Sequence, residues 1–306
     1  MNMNIKPFLK GVSFWTIPPG IENIIKNQIA EIKSKKYNNI FDSKKEKSRT
    51  TLFHNIHKGA RCFILATGPS IKTQDLKLLK DEICISVSQF MLHPDIKIIN
   101  PLYHIEAPTH PPLDFSYVKT SFDGYKNNYA GRVNYFFGYY PYDYSIINFF
   151  YHHKEYYNTN IHFIDYTKSR FLDDKNYNNK TVWDITRSPF LARTVIYIAI
   201  QVAFYMGFRE IYLLGCDHDY LMNLTRNTDF HFYRDGESNT GKMDSKHYNS
   251  FSTEWWFLQY YYRWKEFRLM RDYLESRGCR IFNATNGGML DVFPRVNYED
   301  VISMCK

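Results

Sequence analysis

The chain has 306 residues, of which 44% are hydrophobic and 23% charged. That is enough apolar material for one large or two modest domains, and too ordinary a charge content for global disorder. The formal net charge is +8, which suits an anionic partner such as a phosphorylated substrate or an anionic membrane surface. No zinc finger, RNP-like aromatic motif or long arginine run accompanies it, so nucleic acid is not the expected partner.

In chain order, residues 1–58 read as an N-terminal appendage. Ile21, Ile24, Ile25, Ile29 and Ile32 fall at helical spacing after the Pro18-Pro19-Gly20 punctuation. A Lys-rich polar run, residues 33–51, follows as a loop or second helix, and offers loose attachment to an anionic membrane as one reading. From residue 59 the texture becomes that of a single α/β domain. Arg61 to Ala66 is a short apolar strand, Thr67-Gly68-Pro69-Ser70 a tight turn, Leu76, Leu78 and Leu79 a short helix, and Ile83 to Val87 a second strand. Ile96–Tyr103 and Ile161–Ile164 are further strand candidates, with an irregular, Tyr- and Phe-rich insertion with helical pieces over residues 125–157 between them. Pro189 to Met206 carries one apolar stripe and ends at Gly207, which predicts a helix. Ile211–Gly215 reads as a buried strand. Residues 221–253 are polar and read as a lid, residues 255–276 as a long helix, and Arg280–Phe282 as the last strand.

The expected fold class is therefore α/β: a Rossmann-like, mostly parallel sheet flanked by helices, with an N-terminal helical appendage and a lid-like insertion. Five scattered cysteines form no C-x-x-C pair, so neither a zinc site nor a disulfide framework is expected. The N-terminus lacks an apolar signal core, and no run of about 18 apolar residues marks a membrane span. A cytoplasmic protein, peripheral at the inner membrane at most, is the expectation.

Five constellations could carry chemistry. Gly68 lets a backbone approach a ligand closely, and Thr67 and Ser70 add free N–H groups and hydroxyls suited to a phosphate or ribose. Ser88 and Gln89 follow the second strand, where Gln89 can both donate and accept. After Gly215 come Asp217, His218, Asp219 and Tyr220. Asp217 and Asp219 have the D-x-D spacing with which hard carboxylates hold Mg²⁺ or Mn²⁺ against a diphosphate, while Asp217 could instead hold a ribose hydroxyl and His218 could act as a base. His231 and His247 lie in the lid segment, from which a histidine can deliver a base to an acceptor hydroxyl. Asn283, Thr285 and Asn286, with Gly287 and Gly288, form a loop able to floor a sugar or nucleotide pocket. Each lies at or beyond the carboxyl end of a strand, or on the segment expected to cover it, where open α/β sheets bind ligands.

The stretches Phe63-Ile-Leu-Ala-Thr-Gly-Pro-Ser70, Ser88-Gln89-Phe90 and Glu210-Ile-Tyr-Leu-Leu-Gly-Cys-Asp217 resemble two related groups. One is the bacterial sialyltransferases of glycosyltransferase family 42. The other is the set of bacterial proteins similar to archaeal 6-hydroxymethylpterin diphosphokinase, many of them in surface-polysaccharide clusters. His231-Phe232 and Ile281 through Phe293 look closer to the second group. The first resemblance implies a CMP-linked nonulosonic acid donor, no metal requirement, a lid histidine as base and lid tyrosines that help the phosphate leave. It implies nucleotide contacts at Gly68, Ser70, Ser88, Gln89, Thr194, Gly215 and Asp217. The chain departs from that pattern at Thr67 and Ser88, where asparagines are usual, and at Thr194-Val195-Ile196, where Thr-Ser-Gly is usual.

The leading expectation is a glycosyltransferase of bacterial surface-glycan synthesis, using a nucleotide-sugar donor and a glycan or glycolipid acceptor in one direct displacement. His231 or His218 would be the base, and Tyr220, Tyr233 and Lys242 would stabilise the departing phosphate. The alternatives are a pterin pyrophosphokinase using ATP and Mg²⁺ at Asp217 and Asp219, and an inactive nucleotide-binding scaffold.

Overall fold

The computed structural model describes residues 49–109, 113–140, 145–187, 189–223, 230–234 and 251–304. The helix expected over Ile21–Ile32, His247, Lys242 and most of the lid segment lie outside these residues. Seven strands form one sheet: β1 (Arg61–Leu65), β2 (Cys84–Val87), β3 (Tyr103–Glu106), β4 (Asn134–Tyr139), β5 (Ile161–Asp165), β6 (Glu210–Leu214) and β7 (Arg280–Asn283). Their order is β5-β4-β3-β2-β1-β6-β7, and every neighbouring pair is parallel. The chain thus winds outward from β1 to β5, then returns to the other side of β1 to lay down β6 and β7. The β1–β6 seam is the point where the winding direction reverses.

The helices are α1 (Ile96–Ile99), α2 (Phe115–Asn128), α3 (Ile146–His152), α4 (Val195–Tyr205), α5 (Tyr220–Asn223), α6 (Thr253–Glu275) and α7 (Tyr298–Ser303). Because side chains alternate along a strand, β1 sends Cys62 and Ile64 to one face and Phe63 and Leu65 to the other. On the first face α4 and α6 pack Ile196, Ala199, Ile200, Phe267, Met270 and Leu274 over the sheet. On the second face α2, α3 and α7 supply Val118, Phe122, Phe149, Val301 and Ile302. Both faces are covered, which is why the strands read as nearly unbroken apolar runs.

Three sequence expectations are corrected. Ile96–Ile99 is a helical turn rather than a strand, and the strand begins only at Tyr103. Asp95 precedes that turn and Asn100 closes it in the left-handed conformation, so Ile96 and Ile99 face the core from a helix while Ile98 is exposed. The stretch 125–157, expected as an irregular insertion with helical pieces, holds such pieces in the end of α2 and in α3, but also the whole of strand β4. The helix expected from Pro189 starts instead at Val195, with Thr194 as its N-cap. Among the described residues no helix is long and apolar enough to cross a membrane.

Candidate active site at the strand reversal

A narrow cleft opens beyond the carboxyl ends of β1 and β6. Its walls leave about 390 Å³ of space, part of it open to solvent. Thr67, Gly68, Thr194, Gly215, Asp217, His218, Asp219 and Tyr220 line it, with Val87, Val195, Ile196 and Phe230 as the apolar part. This is the place in a doubly wound sheet where two loops diverge and leave room for a ligand. Sequence reasoning brought most of these residues forward. The apolar lining went unnoticed, because Val195 and Ile196 look like any first turn of a buried helix.

Asp217 ties the site together. Its side chain is buried, and Ser70 donates to it twice, from its backbone N–H to Oδ1 at 3.1 Å and from its hydroxyl to Oδ2 at 2.7 Å. A Cβ at Gly68 would stand 1.9 Å from Asp217 Oδ2, and one at Gly288 would stand 2.6 Å from the Asp217 backbone. Glycine is therefore required at both places by close approach, and at Gly288 also by its φ of +74°. Met289 N–H donates to the Asp217 carbonyl at 2.7 Å. Three loops, after β1, β6 and β7, thus meet on one aspartate. Burial pushes the Asp217 carboxyl up, the two Ser70 hydrogen bonds pull it down, and the Asp219 charge adds to the rise.

Asp217 and Asp219, at D-x-D spacing, both line the cleft. Both Asp217 oxygens already accept hydrogen bonds from Ser70. Among the described residues no group of three His, Cys, Asp or Glu side chains is gathered to hold a metal.

His218 stands at the turn with φ of +50° and is only 6% exposed. Its ring is packed edge-on by Trp264 and Phe267 of α6. Burial, with the Arg263 charge nearby, lowers its pKa to about 3. A base so weak and so enclosed is poorly placed to take a proton from an acceptor. His231 is different. Phe232 is buried against Phe90 and His93, and its N–H donates to Thr67 O at 2.8 Å. That anchor fixes the segment 230–234 beside the glycine loop, and His231 stacks on Tyr233 with ring centroids 4.8 Å apart. Phe230 from the same segment lines the cleft.

Other sequence-nominated residues serve the frame. Gln89 turns away toward α2, donating to Tyr117 Oη and Ser121 Oγ. Ser88 sits at the end of β2 with a left-handed backbone, φ +50°. Asn283 is fully buried: its amide donates to Leu290 O and its Oδ1 accepts from Thr285 N–H. Thr285 Oγ1 in turn accepts from Cys216 N–H. Asn286 donates to Thr73 Oγ1. These residues shape the loops around the cleft rather than line it.

Two other places attract the eye. A more open cleft of about 1170 Å³ lies near the amino ends of β1 and β6, lined by Lys180, Trp183, Tyr205, Arg209 and Arg277. Arg209 there donates to Arg277 O, just past the carboxyl end of α6. Inside the sheet, Ser86 Oγ lies 2.9 Å from His104 Nδ1, and His104 Nε2 lies 3.5 Å from Glu106 Oε1. The set imitates a hydrolase triad, but Ser86 and His104 are wholly buried.

No family model matches the chain, and a search of curated proteins gives no significant match. Among solved structures, the chain is similar to the sialyltransferase CstII from Campylobacter jejuni in complex with cytidine-5'-monophosphate, at 16% identity and a TM-score of 0.46, over 78% of this chain and 85% of that one. It is also similar to CST-II with a trisaccharide acceptor and CMP, at 15% identity and a TM-score of 0.44, over 77% and 85%. The monofunctional α-2,3-sialyltransferase Cst-I from Campylobacter jejuni gives 16% identity and a TM-score of 0.42, over 78% and 80%.

Proposed function

We propose that this chain is a glycosyltransferase that takes its sugar from a nucleotide-activated donor, a CMP-linked one by preference, and passes it to a glycan or glycolipid acceptor of the bacterial surface. The observation that carries the reading is the cleft at the β1–β6 reversal, where the glycine loop and the 215–220 strand end face each other. The loop after β1 and the N-cap of α4 lie in the same wall of that cleft. The net charge of +8 favours an anionic donor.

In this mechanism the donor lies across the cleft and the acceptor enters beneath the segment anchored by Phe232. His231 takes the proton from the acceptor hydroxyl as the new bond forms, and His247 of the same lid segment is the second candidate for that task. Tyr220 and Tyr233 donate to the departing phosphate, where negative charge develops. The reaction is a single displacement, and no step runs through a metal. The pyrophosphokinase alternative, with ATP and with Mg²⁺ at Asp217 and Asp219, differs from this reading in the nucleotide it binds and in its need for metal.

The test is thermal stabilisation by CMP, UDP, GDP and ATP, each with Mn²⁺ or with EDTA. Stabilisation by CMP that survives EDTA is the expected result. Stabilisation by ATP only with metal would overturn it in favour of the pyrophosphokinase. No response to any nucleotide would leave a scaffold.

A further inference from the structure

The long helix α6 surrounds His218. Tyr260 donates from its hydroxyl to His218 O at 3.0 Å, and Trp264 and Phe267 meet the ring edge-on with centroids 6.2 and 5.3 Å away. Positions 260, 263, 264 and 267 share one helical face, so Arg263 belongs to the same wall. Its charge reaches both His218 and Glu266. Glu266, 2% exposed, is held through Oε1 by Arg193 Nε at 2.8 Å.

The hydrogen-bonding inventory of this wall is uneven in a specific way. Two buried donors, Arg263 Nε and Nη1, have no acceptor. Two buried groups, Glu266 Oε2 and His218 Nδ1, have no donor. Buried polar groups are rarely left so, and Arg263 shares the helical face that packs on His218 through Tyr260, Trp264 and Phe267, so a side-chain rotation or a bridging water can complete the set. An arginine has no lone pair to offer, so toward Arg263 the histidine nitrogen can only accept.

We infer that Arg263 sets the tautomer of His218: with Nδ1 accepting from the Arg263 side, the proton sits on Nε2, and His218 offers the cleft an N–H for a phosphate oxygen of the bound nucleotide. This deepens the reading of the cleft as a nucleotide-sugar site and rests on it. It also assigns His218 the reverse of a base. The ring's single lone pair is turned inward, and the atom facing the cleft donates. Arg263 is a positioning residue acting through His218. The other titratable or charged groups facing the ring are Asp217, Asp219 and Tyr220 on its own segment and Tyr260 on α6. Burial beside a fixed cation keeps the imidazole neutral, consistent with its lowered pKa.

Two measurements test this. In protein labelled with ¹⁵N-histidine, long-range ¹H–¹⁵N spectra report the tautomer, with His218→Gln identifying the signal. The Nε2–H form is expected in the wild type, moving toward a mixture in Arg263→Met. An Nδ1–H form in the wild type, or a spectrum unchanged in a folded Arg263→Met or Arg263→Lys protein, overturns the inference. The second measurement is calorimetric titration with CMP. Gln places its amide where Nε2 lies and Asn where Nδ1 lies. His218→Gln should therefore keep affinity within about threefold, and His218→Asn should lose about tenfold or more. The opposite order, or equal binding by both, overturns it. If the wild type binds no CMP, the proposed function fails, and the tautomer measurement still decides the role of Arg263.

Discussion

Ser70 spends both its backbone N–H and its hydroxyl on the single carboxylate of Asp217, across 147 residues of chain. The bond is local in space and remote in sequence, and it closes one wall of the cleft. Removing it with Asp217→Ala should cost about 2 kcal/mol in urea unfolding at pH 7, since it strips two hydrogen bonds to a charged group. Asp217→Asn should be close to neutral there. The folded protein holds the Asp217 proton more tightly than the unfolded chain does. Stability from this group is thus present at low pH and is lost as pH rises above the ordinary carboxylate range. Asn at this position should flatten that slope, and an unchanged slope would show that Asp217 is not the group responsible.

The three loop glycines separate steric from conformational demands. Gly68→Ala would set a Cβ against Asp217 Oδ2 and the Gly215 carbonyl, and Gly288→Ala would set one against the Asp217 backbone. Each should lower stability by about 3 kcal/mol, as overpacking with backbone displacement does. Gly287 also has positive φ, at +88°, but nothing lies within 4 Å of its Cβ position. Gly287→Ala should cost only about 1 kcal/mol. Melting curves of the three variants decide the matter, and equal losses would contradict the geometry.

His162 on β5 is buried with both ring nitrogens unpartnered, and it packs between Phe53 and Phe136 at 4.6 and 5.1 Å. Burial, with Arg49 adding to the effect, lowers its pKa to about 3. The unfolded chain binds this proton and the folded protein does not, so acidification from pH 6.5 toward 3 costs stability. At pH 5 the cost is about 2 kcal/mol. His162→Phe should remove it and raise the acid stability of the protein, measured as the urea midpoint at pH 5 against pH 7.5. A larger loss at pH 5 than at pH 7.5 would refute this account.

Ser86 should not react with a fluorophosphonate probe, because it is sealed under Tyr125 and Tyr129 with no path to solvent. Tyr129 Oη lies 2.9 Å from Ser86 Oγ and 2.7 Å from His104 Nδ1. Ser86→Ala should cost about 1 kcal/mol of stability and leave nucleotide binding intact. Covalent labelling at Ser86 would reverse this assignment.

How far the sequence disclosed all this depends on which interactions are local. β1, β2, β6 and α4 were readable because Phe63, Ile64, Leu213 and Ile200 sit in apolar runs bounded by glycine or polar turns. β4 was hidden by Gly138, which reads as a loop residue. Its hydrogen atom faces Pro108 and Tyr166, where a Cβ would stand 2.7 and 2.9 Å from their side-chain atoms. At the site, Gly68, Ser70 and Asp217 were each visible as chemistry at a strand end. Their mutual bond was not, because no periodicity encodes a contact made by strand order. Arg263 gave no signal at all, being one cation among several on a helix whose buried face only the fold reveals.

Synthesis imposes its own order on the cleft. Gly68 and Ser70 are made first, Asp217 after them, and the Gly287–Gly288 loop last of the three. Until that last loop arrives, the aspartate lacks its final neighbour and the pocket lacks one side. A nascent or truncated chain ending before Gly288 would carry the central strands yet hold no finished cleft. Whatever the cleft binds would then be captured only after that loop has been made, and would act as a seal on the joined loops.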